Sequence, residues 1–231
     1  MNERVNEKVS DKVKGQVILL HGLGRTCASM SRLQRGLEAY GYDVRCWSYP
    51  SRRRRLIGHI EAFRSWLANQ KFARPVHFVG HSLGGIIVRG ALAQNPPVPV
   101  GRIVMIAAPN QGAGVVSHFG QWPLSRLFFG LPLEDLAEGS PVLQSLGIPE
   151  AEIGIIAGVQ HFHLINPVSW VNLFHRAGEE HDGTVELANT RLEGARDSLV
   201  IDAHHTFICD DETVIEQTAA FLRDGQFRHS S

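Results

Sequence analysis

The stretch Gly80-His81-Ser82-Leu83-Gly84-Gly85 constrains this chain more than any other. It follows the apolar run Pro75-Val76-His77-Phe78-Val79 and precedes Ile86-Ile87-Val88-Arg89-Gly90-Ala91-Leu92-Ala93, so it reads as strand, G-x-S-x-G, helix. A sharp strand-to-helix turn pushes a serine side chain out of a sheet. Such a turn is tight enough that the residues two before and two after the serine must lack side chains. Gly80 and Gly84 meet that demand. The helix start would aim its free N–H groups and the positive end of its dipole at Ser82. A glycine-rich turn with an incidental serine is the plainer reading, and the matching flanks on both sides weigh against it.

The rest of the chain repeats the alternation. Gln16-Val17-Ile18-Leu19-Leu20 is a short continuous apolar run, as expected of a strand buried on both faces of a parallel sheet, and it ends in the tight turn His21-Gly22-Leu23-Gly24. Ser29 to Tyr40 reads as an amphipathic helix with Met30, Leu33 and Leu37 on one face, stopped by Gly41. Val44-Arg45-Cys46-Trp47, Gly101 to Ala107, Ile153 to Val159 and Leu199-Val200-Ile201-Asp202 are further strands, and Thr213 to Arg223 is a closing helix. Six strands joined by helices or long crossovers imply a mostly parallel sheet covered on both faces. Sites in such sheets lie beyond the carboxyl ends of the strands. The polar or glycine-rich turns at His21-Gly22, Ser82, Pro109-Asn110, Asp182 and His204-His205 all follow expected strands.

Length and composition set the remaining bounds. The 231 residues suit one α/β domain (15–231) behind a polar tail (1–14), with 43% hydrophobic and 20% charged residues, an ordinary globular balance. The formal net charge of zero gives no pointer to nucleic acid or to an anionic membrane. No apolar run approaches about 18 residues, so no membrane span is expected. Residues Met1 to Lys14 lack an apolar core of the kind a secretory signal needs. Cys27, Cys46 and Cys209 have no paired spacing, so neither a disulfide framework nor a zinc site is expected; reduced thiols in a cytoplasmic protein are. Oligomeric state is left open.

Two stretches break the pattern. Arg52-Arg53-Arg54-Arg55 invites a phosphate-binding or anionic-surface reading, but successive helical residues point in different directions and cannot focus on one pocket. A solvated first turn of the helix carrying Ile57, Ile60, Phe63 and Leu67 is the favoured reading. About 113–150 is rich in aromatics, Gly and Pro without a clean strand, and is read as a small cap or lid insertion over the site, against a plain packed excursion.

An exposed serine becomes a nucleophile only with a base in reach, a carboxylate to orient that base, and two N–H donors for the oxyanion. The strongest acid candidate is Asp182, on the Asp182-Gly183 turn that follows the fifth strand; Asp-Gly is also a common turn pair. Asp202 is too near the histidine in sequence to approach it from the far side, and Asp210 and Asp211 look like helix N-terminal residues. Twelve histidines make position decisive, and His204-His205 follows the last strand immediately.

Five blocks, His21-Gly22-Leu23-Gly24, Gly80 to Gly85, Ala108-Pro109-Asn110-Gln111-Gly112, Asp182-Gly183-Thr184-Val185 and His205-Thr206-Phe207, stand in an order that resembles the α/β-hydrolase superfamily, and within it compact bacterial lipases and esterases. The resemblance covers roughly 16–223 and implies the α/β-hydrolase fold in a minimal six-stranded version, without the first two strands of larger members. It implies Ser82 as nucleophile, Asp182 as acid and His205, rather than His204, as base, because the base commonly precedes a small hydroxyl residue and an apolar one. It assigns the oxyanion N–H groups to Leu23 and Leu83. Relatives often read Gly-Thr-Pro-Asn where this chain has Ala107-Ala108-Pro109-Asn110, a departure in packing rather than in catalytic groups. The implied activity is hydrolysis of a small-molecule or lipid-like ester, with no cofactor and no metal.

Other classes leave weaker traces. A metal-dependent hydrolase would draw on His175, Glu179 and His181, or on His161 and His163, spacings that match no recognised ligand pattern. A non-catalytic binding protein would have no reason to keep every catalytic position filled. An acyltransferase using the same triad differs only in water access to the acyl-enzyme, which a sequence does not show.

Overall fold

The computed structural model describes residues 14–114, 130–159, 185 and 187–229. Asp182, the histidines at 161, 163, 175 and 181, and residues 115–129 of the 113–150 insertion lie outside the described residues.

Six strands form one sheet: β1 (Gln16–Leu20), β2 (Asp43–Trp47), β3 (Val76–His81), β4 (Val100–Ile106), β5 (Ile153–Gly158) and β6 (Asp197–Ile201). Their order is β2-β1-β3-β4-β5-β6, and every neighbouring pair is parallel. The helices that lie wholly among the described residues are α1 (Ser31–Ala39), α2 (Leu56–Ala68), α3 (Leu83–Leu92), α4 (Pro141–Ser145), α5 (Leu187–Thr190) and α6 (Glu212–Asp224). Period-two alternation in the strands divides the core in two. Ile18, Leu20, Phe78, Ile103 and Met105 meet α2 and α3 through Leu56, Phe63, Leu67, Ile86 and Ile87 on one face. Val17, Leu19, Val79, Val104 and Ile156 meet α1 and α6 through Leu33, Leu37, Val214 and Phe221 on the other.

β1 lies one strand in from the edge; the chain then moves out to β2 and returns past β1 to build β3 to β6. The reversal falls between β1 and β3, whose ends are held level by the Leu20–Gly80 register. An open parallel sheet places its crevice beside such a reversal. The turns carrying Leu23 and Ser82 leave the sheet at that point.

Three expectations are corrected or refined. Cys27 and Cys46 form a disulfide with Cα atoms 5.8 Å apart, because the 3-10 turn Cys27–Met30 after β1 lies against β2; spacing along the chain carried no sign of this. Cys209 is buried and free. The arginine run does not form a first helical turn: Arg52, Arg53 and Arg54 are exposed in a turn ahead of α2, and Arg55 is its N-cap residue. Arg55 pairs with both carboxylate oxygens of Asp135, closest at 2.6 Å, and Asp135 also accepts the Leu56 amide at 2.9 Å. Within 130–150, Leu133, Leu136 and Leu143 sink into the α2–α3 side of the core, as a packed excursion would.

Among the described residues no helix is long and apolar enough to cross a membrane.

Candidate active site

Ser82 sits between β3 and α3 with φ 53° and ψ −123°, a conformation rare for any residue with a side chain. Its amide donates to the Ile106 carbonyl on the neighbouring strand at 2.9 Å, which locks the turn to the sheet. A Cβ at Gly80 would stand 2.5 Å from the Gly85 backbone, and one at Gly84 would stand 2.4 Å from the Leu20 carbonyl oxygen. The turn therefore admits only glycine at those two places. All of α3 except Gly90 is buried, so the serine rides on a fixed element.

His205 enters from the turn after β6. The Ser82 hydroxyl and its Nε2 are hydrogen-bonded at 3.1 Å, within the reach a general base needs. His204, the other candidate, points elsewhere: its Nδ1 accepts the Thr206 amide at 3.2 Å and its ring lies 6.4 Å from that of Phe207. Asp202 is exposed at the surface, and Asp211 caps α6 by accepting the Val214 amide at 3.1 Å. Asp210 ends the 3-10 turn Ile208–Asp210.

Leu23 lies in the turn after β1 and Leu83 is the first residue of α3. Among the described residues neither amide has an acceptor. A Cβ on Gly22 would come within 3.3 Å of the Ser82 Cβ, so the two turns abut. Ser82, His205 and two free amides thus converge at the strand reversal.

His81, which occupies the first x of G-x-S-x-G, has a part in the geometry. Its Nε2–H donates to the His205 carbonyl at 3.1 Å, and the two rings are 4.9 Å apart. Burial, then the neighbouring charges of His205 and Arg25, hold His81 well below the ordinary histidine range, so it stays neutral beside the base. Arg89, within α3, is buried against three carbonyls, those of Asn110 (3.0 Å), Leu146 (2.9 Å) and Gly147 (3.0 Å). Burial lowers its pKa. It ties the turn after β4 to the end of the insertion. Ala107, where relatives often have glycine, adopts φ 49°, so that departure is a backbone matter as well as a packing one. Among the described residues no group of three or more His, Cys, Asp or Glu side chains could hold a metal.

These features belong to a known class. The sequence matches the model of the alpha/beta hydrolase family over residues 17–227, and the chain is a member of that family. Among solved structures it resembles the mature form of the Bacillus licheniformis lipase BlEst2, with 18% identity, 91% of this chain and 92% of that chain covered, and a TM-score of 0.76. It also resembles a metagenomic carboxyl esterase (19% identity, 83% and 64% covered, TM-score 0.63). A third similar structure is the phospholipase PlaB of Legionella pneumophila (20% identity, 77% and 46% covered, TM-score 0.60). At such identities the likeness is one of fold. No curated protein matches the sequence.

Proposed function

We propose that this hydrolase cleaves carboxylic esters through an acyl-enzyme on Ser82. The observation that carries the reading is the 3.1 Å hydrogen bond from a strained, half-buried Ser82 to His205 Nε2. Family membership and the lipase and esterase character of its structural neighbours support it.

In this reading His205 takes the Ser82 proton as Oγ attacks the ester carbonyl, and Asp182 holds the imidazole in the correct tautomer. The Leu23 and Leu83 amides receive the oxyanion. Collapse of the tetrahedral intermediate expels the alcohol, which takes the proton back from His205. Water, activated by the same histidine, then releases the carboxylic acid. No cofactor or metal enters this scheme. The apolar content of 113–150 supports a lipid-like or otherwise apolar ester as substrate. The cytoplasmic placement expected from the sequence leaned on reduced cysteines; the Cys27–Cys46 bond removes that support and favours an oxidising compartment.

Intact-mass labelling with a fluorophosphonate tests the nucleophile. One adduct on the wild type, absent from Ser82→Ala, is the expected result, followed by turnover of p-nitrophenyl esters. A folded wild type that takes no adduct would overturn the reading in favour of a binding protein. Diversion of product to a new ester by added alcohol would move it to acyl transfer. Asp182→Asn should lower turnover far more than Asp202→Asn; the reverse would reassign the acid.

A further inference from the structure

The turn proposed to present the Leu23 amide is braced from within at the Gly22 carbonyl of that same peptide, which takes His21 Nδ1–H at 3.0 Å and the Arg25 amide at 3.3 Å. Leu23 is flanked by Gly22 and Gly24, and Gly24 adopts φ 68°. Glycine on both sides keeps the backbone around that peptide permissive, so ties from outside the turn add to its hold. The ties from outside come from one segment, residues 46–51, which runs out of β2 alongside the end of β1 as the Leu20–Trp47 register dictates.

The segment makes three ties. The Tyr49 hydroxyl donates to the His21 carbonyl at 2.6 Å, just before Leu23. Ser51 Oγ accepts the Gly24 amide at 3.0 Å, just after it. Cys46 is bonded to Cys27, where the turn ends. The ties are themselves fixed. Tyr49 is buried and stacked between His21 (4.3 Å) and Trp47 (4.8 Å), and burial raises its pKa so that its hydroxyl stays a donor. Ser51 is buried, and His59 Nε2–H donates to its carbonyl at 3.2 Å.

We infer that Tyr49 and Ser51 are positioning residues that preorganise the Leu23 amide for the oxyanion, with the Cys27–Cys46 bond as the covalent third tie. The inference rests on the ester-hydrolase reading. Neither side chain needs to touch substrate. Preorganised donors act through geometry, and misplacement by about 1 Å can lower turnover about 10²-fold, while losing one donor outright lowers it about 10²–10³-fold.

The test compares wild type, Ser51→Ala, Ser51→Thr and Tyr49→Phe. Ser51→Ala should lower kcat about 10- to 10²-fold with little change in KM, and Ser51→Thr, which keeps the acceptor oxygen, should recover most of it. A trifluoromethyl ketone binds as a tetrahedral oxyanion, so its inhibition constant should weaken by the same factor as kcat/KM across the series. A residue that merely stabilised the fold would lower the melting temperature and leave that constant alone, which would overturn the inference. If Ser51→Ala does not fold, Tyr49→Phe keeps its ring stack and decides the matter by the same readouts. Amide hydrogen exchange on the resting protein separates the two readings. Faster exchange at Gly24 in Ser51→Ala with an inert wild type would uphold the tether and sink the ester reading. Unchanged exchange with an active wild type would sink the tether alone.

Discussion

The buried ring of His81 and the main-chain carbonyl of His205 are joined by a 3.1 Å hydrogen bond, which ties the turn of the nucleophile to the turn of the base. The two turns come from strands separated by more than a hundred residues in sequence, so this bond is a direct control on the Ser82–His205 distance. His81→Ala should remove this hydrogen bond and leave a small cavity, costing about 2–4 kcal/mol of stability. It should also lower kcat about 10- to 10²-fold through misplacement of the base. His81→Gln, whose amide nitrogen can reach the same carbonyl, should recover part of both. Thermal melts with ester kinetics on the two variants check this; equal losses in both would leave the hydrogen bond without a role.

Acid should destabilise this protein before its carboxylates titrate. His21, His59, His77 and His81 are all held below the ordinary histidine value of 6.5, with burial the largest cause in each. A group whose folded pKa is depressed binds protons more readily in the unfolded chain. Stability is therefore complete above the unfolded value and is lost as the pH falls below it. Each such histidine contributes a slope of up to about 1.4 kcal/mol per pH unit. Urea midpoints taken from pH 8 down to 5 should begin to fall below about 6.5. A level midpoint over that range would contradict the burial of these rings.

Asp135 should matter more than an ordinary surface ion pair. Its carboxylate is almost wholly buried, 2% exposed, and serves Arg55 and the first amide of α2 at once. Asp135→Ala removes a helix cap, about 1 kcal/mol, together with hydrogen bonds to a charged partner, for a total of about 2–3 kcal/mol. In a chain of this size that is a fall in melting temperature on the order of 4–12 °C. A fall no larger than that of an exposed control such as Glu61→Ala would show the pair to be incidental.

Reduction should loosen the β1–β2 edge selectively. The Cys27–Cys46 bond closes a loop of sequence separation 19, for which chain entropy gives about 3 kcal/mol. Dithiothreitol should lower the melting temperature by about 6–12 °C. Iodoacetamide should label no cysteine before reduction and two after it, since burial pushes the Cys209 thiol up and hides it. Alkylation of unreduced native protein at Cys27 or Cys46 would refute the bond.

What could be read from the sequence depended on how far each feature reaches. All six strands were legible because each is a short apolar run closed by Gly, Pro or a polar turn, and their order of appearance already implied parallel pairing. Ser82 was legible because its turn needs Gly80 and Gly84 at fixed offsets. His205 followed from the end of β6 together with the family pattern, and the geometry brings it, not His204, to Ser82. The disulfide, the Arg55–Asp135 pair and the Tyr49 and Ser51 ties were illegible for one reason. Each joins residues that only the finished sheet makes neighbours, and none has a local signature. Asp182 stands where the sequence left it, as the acid to be tested.

The φ of 53° at Ser82 has a consequence for how such a protein can change. A side chain in that conformation costs about 1–3 kcal/mol, and glycine there would relieve it. Random mutation under selection for stability alone should therefore tend to erode the nucleophile, as it should the other strained positions, Asn95 and Ala107. The most stable descendant of this chain is one that cannot react, and an unstrained residue at this turn is the mark to look for in relatives that have exchanged chemistry for binding.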